Sequence, residues 1–73
     1  MITLSDRLKQ LKKEKNLLQK NIAKDNNIAL RTYQCYERGE SEPSASTLIK
    51  LADYFNVSVD YLVGKTNNPD VNI

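Results

Sequence analysis

The stretch QKNIAKDNNIALRTYQCYERG, residues 19–39, constrains this chain more than any other. Asp25-Asn26-Asn27 marks a turn inside it, because asparagine enters the left-handed backbone region at lower cost than most residues other than glycine. So short a turn admits only two helices meeting at a steep angle. The first covers 19–25 and turns Ile22 and Ala23 inward; Ala23 is small enough to let another helix come close. The second covers 29–38 and stops at Gly39, a natural residue for the position after a helix end. At about 100° per residue, Ala29, Thr32 and Tyr36 gather on the side of Tyr33, while Arg31, Gln34, Cys35 and Arg38 fall on the other, with Leu30 on the flank. Two tyrosines face in, and a polar row with one thiol faces out.

The segments on either side supply a scaffold. Leu4, Leu8 and Leu11 follow the i, i+4, i+7 spacing of one helical stripe and predict a helix over 4–15. Thr3 and Asp6 stand at capping-box spacing before it. Lys9, Lys12, Lys13 and Lys15 crowd its second half, where cations suit the helix dipole. Asn16 breaks the helix, and at least one of Leu17 and Leu18 packs back against it. After the loop Glu40–Pro43, Ser44 caps a helix over 45–55 whose Leu48, Ile49, Leu51, Ala52 and Phe55 form the strongest amphipathic stripe in the chain. Ser58 caps a short helix over 59–63, Val57 and Leu62 have hydrophobic-staple spacing, and Gly64 ends it. The expected architecture is all-α: a compact five-helix domain over 1–66, followed by a short flexible tail over 67–73, KTNNPDVNI having little to bury from residue 65 onward.

Composition excludes several function classes. Cys35 is the single cysteine and there is no histidine, so an internal disulfide cannot form and a zinc site is not expected. General acid–base or nucleophilic catalysis needs paired carboxylates, a histidine, or a base beside the thiol, and a small helical domain has little room for a substrate pocket. We expect no enzyme activity, no cofactor, no metal and no small-molecule ligand. No apolar run approaches the roughly 20 residues that span a bilayer, and the charged N-terminus is unlike a signal peptide; a cytoplasmic protein is expected. Net charge is unevenly spread. Residues 1–38 hold nine Lys and Arg against four acids, and residues 39–73 hold two Lys against five acids. A basic half of this kind is either a set of solvated helix faces or the footprint of a polyanion. With the two angled helices it predicts a helix-turn-helix that offers its second helix to DNA.

Gln19, Ile22-Ala23, Asn27-Ile28, Tyr36-Glu37-Arg38-Gly39, Pro43-Ser44, Thr47 to Ala52 and Val57 to Leu62 stand in an order and spacing that resembles the phage-repressor and Cro-like helix-turn-helix regulators of bacteria and phages. The resemblance covers about residues 3–66. It implies a five-helix domain, usually a homodimer on a palindromic double-stranded DNA operator, acting as a transcriptional regulator and here as a repressor. It places Leu30, Arg31, Gln34 and Cys35 on the major groove. Gln19, at the start of the first motif helix, would meet a phosphate there, with Thr32 and Arg38 near the DNA backbone. Tyr33 and Tyr36 match buried positions. The chain departs from the pattern at Leu18 and Ala29, where Ser or Thr caps are preferred at a difference of about 1 kcal/mol each. It also has Asn26 in place of an apolar turn residue, and Glu40 and Glu42 in a loop that is frequently basic.

Each side chain also has a plainer reading. The Arg31 guanidinium matches guanine O6 and N7, or is simply solvated. Gln34 meets adenine, a phosphate, or water. Leu30 touches a thymine methyl or lies half-covered by the preceding helix. Arg38 neutralises a phosphate or pairs with Glu37 or Glu42. Cys35 is a small contact rather than a redox switch. Glu37, an acid at the unfavourable end of a helix, calls for a local partner such as loop backbone. The last helix, with Tyr61 and Val63, is the expected dimer contact. The acidic loop and missing caps motivate one rival: a module of the same fold that mainly binds a protein partner such as an antirepressor.

Overall fold

The computed structural model describes residues 2–70, and within them five helices and no strand. They are α1 (Leu4–Glu14), α2 (Gln19–Asp25), α3 (Leu30–Arg38), α4 (Ala45–Phe55) and α5 (Val59–Leu62). The capping signals read from the sequence are used. The Thr3 hydroxyl accepts from the Asp6 N–H at 3.2 Å while the Asp6 carboxylate accepts from the Thr3 N–H at 3.2 Å. Ser44 Oγ accepts from the Thr47 N–H and Ser58 Oγ from the Tyr61 N–H. Asn16, Asn27 and Asn56 take positive φ between 56° and 58°, so asparagine makes three of the chain reversals.

Three boundaries are shorter by one residue than the periodicity suggests. α1 ends at Glu14 with Lys15 as its C-cap, Ala29 is the extended N-cap of α3, and Val63 is the C-cap of α5. In each case the residue carries a helical side-chain pattern but a half-helical backbone.

α3 lies across α1 and α2, and α5 packs on α4 and α1. Leu8, Ile22, Tyr33, Leu51, Phe55 and Leu62 are fully buried where these helices converge. Leu17 packs against this core, leaving Leu18 exposed. The α4 stripe is narrower than expected: Leu51, Ala52 and Phe55 are buried, but Ile49 is 52% exposed on its edge.

The C-terminal segment is tied down at two points. Arg7 Nη2 donates to the Thr66 carbonyl and the Ser58 N–H donates to the Pro69 carbonyl at 3.0 Å. Residues 71–73 of the expected tail lie outside the described residues. Gly64 sits at φ +87° with the Ile2 carbonyl oxygen 2.3 Å from where a Cβ would stand, so only glycine fits.

Candidate nucleic-acid interface

The inner side of α3 is fixed by two residues four apart. Tyr33 is fully buried, and Glu37, one turn later on the same stripe, is 3% exposed. A carboxylate so placed must be paired. Lys12 Nζ of α1 reaches Glu37 Oε1 at 2.9 Å, and Gln19 Nε2 of α2 donates to the same oxygen at 3.0 Å. Burial pushes the Glu37 carboxyl up, but hydrogen bonds from Lys12 and Gln19, with the Tyr33 hydroxyl close by, outweigh it and hold the group below the usual carboxylate range. The Tyr33 hydroxyl neighbours this carboxylate, although neither it nor Glu37 Oε2 closes a hydrogen bond of good geometry. Burial, then Glu37, raise the Tyr33 phenol far above its ordinary value. The partner of Glu37 is therefore not loop backbone, as its position suggested, but a cation and an amide from the other two helices. The backbone carbonyl of Glu37 accepts separately from the Ser5 hydroxyl.

Held from beneath in this way, α3 turns its other side to solvent. Arg31 is exposed and, among the described residues, forms no ion pair. Leu30 is 42% exposed. Gln34 and Cys35 are half-buried. Arg38 is exposed, with Nε 3.0 Å from Glu40 Oε1 and Nη2 3.8 Å from Cys35 Sγ. Its acid partner is thus Glu40, neither Glu37 nor Glu42. So exposed a pair is weak in water and opens readily. Thr32 and Ala29 are exposed, contrary to their grouping with the tyrosines. Ala29 precedes the helix, and Thr32 lies about 100° from Tyr33, beyond the reach of α1 and α2. Tyr36 is half-buried against the core.

Gln19 is half-buried, and its amide is engaged on both sides: Nε2 donates to Glu37, and Oε1 accepts from Gln34 Nε2 at 3.2 Å. Its own N–H, at the start of α2, has no backbone partner among the described residues. Leu18 and Ala29, the N-caps of α2 and α3, offer no side-chain acceptor, whereas α1, α4 and α5 are all capped by Thr or Ser. The two helices of the angled pair thus begin with N–H groups left open.

Two buried polar residues escaped the sequence reading. Arg7 is 3% exposed: Nε donates to the Tyr61 carbonyl at 2.8 Å and the guanidinium stacks on the Tyr61 ring. The signal was present, since position 7 falls inside the Leu4–Leu8–Leu11 stripe. Asn26 is 4% exposed and donates to the Ile22 carbonyl, filling the turn where an apolar residue is usual. Tyr61, expected at a dimer contact, is 8% exposed and already covered by Arg7 and Gln10 within its own chain.

Among the described residues no helix is long and apolar enough to cross a membrane, and no cluster of metal-ligating side chains is present.

The chain is 39% identical over 64 residues to the HTH-type transcriptional regulator ImmR of Bacillus subtilis, covering 88% of this chain and 50% of that protein. It is 36% identical over 62 residues to the cryptic phage CTXphi transcriptional repressor RstR of Vibrio cholerae, covering 85% of this chain and 55% of that protein. The crystal structure of a transcriptional regulator from Listeria innocua superposes with a TM-score of 0.79 at 42% identity, covering 86% of this chain and 61% of that one. The chain thus spans about half the length of the curated relatives it matches. The helix-turn-helix family model matches residues 8–62, which include every element from α2 to α5, and the chain belongs to that family.

Proposed function

We propose that this chain binds double-stranded DNA sequence-specifically and acts as a transcriptional regulator, in the sense of a repressor working as a homodimer in the cytoplasm. The observation that carries the reading is the orientation of α3: its Tyr33–Glu37 stripe is locked into α1 and α2, and Arg31 stands exposed on the opposite side, with no ion pair among the described residues. With its side chains the nine-residue α3 is a rod about 10–12 Å across, which suits the roughly 12 Å width of the major groove. Arg31 reads guanine, while Leu30, Gln34 and Cys35 line the same edge. The open N–H groups at the start of α2, beside Gln19, suit a phosphate; Thr32 and Arg38 flank it, with Arg38 exchanging Glu40 for phosphate. The DNA-binding unit is residues 1–66. Relatives named as transcriptional regulators and a phage repressor support the same assignment.

In a dimer the two copies of α3 would sit about 34 Å apart, one DNA turn. Selection of binding sites from a random duplex pool, followed by anisotropy titrations at two salt concentrations, tests the reading. A discrete, two-fold symmetric site and an affinity that falls steeply with salt are expected. Failure to enrich any sequence, with no salt-dependent binding, would instead favour a protein partner.

A further inference from the structure

One polar chain links the scaffold to the exposed side of α3. Lys12 and Gln19 both donate to Glu37 Oε1, and Gln34 Nε2 donates to Gln19 Oε1. Its direction is not arbitrary. An ionised carboxylate only accepts, so Gln19 must turn its NH₂ to Glu37 and its carbonyl away. That carbonyl in turn demands a donor, so Gln34 must turn its NH₂ to Gln19. The Gln34 carbonyl oxygen is left without a partner among the described residues. An isolated glutamine on a helix surface flips freely between donor and acceptor; this one is biased by a buried charge on its own helix, relayed through α2. The bias persists at neutral pH because Glu37 is held below the usual carboxylate range.

We propose that the Lys12–Glu37 pair, acting through Gln19 as a positioning residue, presents Gln34 to the major groove carbonyl first, so that Gln34 selects a base whose exocyclic amino group lies in the major groove, adenine or cytosine, over guanine or thymine. Adenine N6 and cytosine N4 donate at the major-groove edge, whereas guanine O6 and thymine O4 accept. A bare Gln34 carbonyl rewards the first pair and repels the second. The inference rests on the DNA-binding reading above and goes beyond it by giving Gln34 a base class and Gln19 a second role.

The test compares the full chain with Gln34→Ala and Gln19→Met on a panel of duplexes in which each position of the selected site is varied. The parent should favour amino over keto bases at one position by about tenfold, the scale of one good base contact. Gln34→Ala should erase that preference. Gln19→Met, which keeps the backbone N–H groups at the start of α2, should reduce the preference at that one position to less than about twofold, because the freed Gln34 amide can offer either end. Circular dichroism confirms that each variant is folded. Gln19→Met keeping the full amino-over-keto preference overturns the relay, and Gln34→Ala keeping it overturns the assignment of Gln34. A parent that binds no duplex sequence-specifically overturns the functional reading itself, and this inference with it.

Discussion

The guanidinium of Arg7 lies 3.6 Å from the ring centre of Tyr61, and its Nε donates to the carbonyl of the same residue. One α1 side chain thereby grips α5 by its ring and its backbone, and Nη2 extends the grip to Thr66. Arg7→Ala removes a cation–π contact and charge-assisted hydrogen bonds together, and is expected to cost roughly 2–4 kcal/mol. Arg7→Lys should recover less than half of this, since an ammonium cannot stack flat and bond sideways at once. Urea melts of the three proteins check both statements.

The Lys12–Glu37 pair predicts a pH signature. The folded Glu37 carboxyl lies below its ordinary 4.5. Its contribution is therefore fully present above about pH 4.5, the unfolded value, and is lost as pH falls through the lower folded value. Glu37→Gln should destabilise the protein by roughly 1–3 kcal/mol at pH 7, less than the loss typical of fully buried pairs because Lys12 retains access to water. Below pH 4.5 the gap between variant and parent should narrow. Melts from pH 3 to 7 measure it; a gap independent of pH would remove Glu37 from the acid limb.

Two glycines separate conformational from steric cost. Gly39 has φ +74°, but an added Cβ would meet nothing closer than Ser5 Cβ at 3.9 Å. Gly39→Ala should cost about 1–2 kcal/mol, the left-handed penalty alone. Gly64→Ala adds a 2.3 Å collision with the Ile2 carbonyl and should cost clearly more. Equal losses in thermal melts would mean that the backbone at Ile2 moves away at no cost.

Leu18 has the extended backbone of an N-cap, φ −102° and ψ 154°, and its N–H already donates to Asn21 Oδ1. Serine there would complete the missing half of the box by offering its Oγ as a second acceptor to the Asn21 N–H, which now donates to the Leu18 carbonyl at 3.0 Å. Leu18 is also 59% exposed, so little packing is lost. Leu18→Ser should stabilise by about 0.5–1 kcal/mol, read as a higher melting temperature.

Much of this fold was legible because its determinants are local. Ser44, Ser58 and the Thr3–Asp6 pair cap where their spacing says, and Asn16 and Gly39 end helices as their backbone preferences dictate. The inward placement of Tyr33 and the outward placement of Arg31 followed from periodicity alone, and the family resemblance was borne out. Less legible was everything that depends on which helices meet. Glu37 needed a partner, but only the packing of α1 and α2 under α3 shows that Lys12 and Gln19 supply it. A wheel also cannot tell how wide a buried face is, so Thr32 and Ile49 were placed too far inward. Arg7 was hidden by its own charge, although it stands in an apolar stripe.

Selection of operator sites by the parent and by Arg31→Ala, sequenced side by side, bears most directly on the claim that α3 offers Arg31 to a duplex. The account predicts that the parent enriches a site with a strongly preferred guanine and that Arg31→Ala loses that one preference, worth about 1–3 kcal/mol, while retaining the rest. An Arg31→Ala protein that ranks bases at every position as the parent does would contradict it.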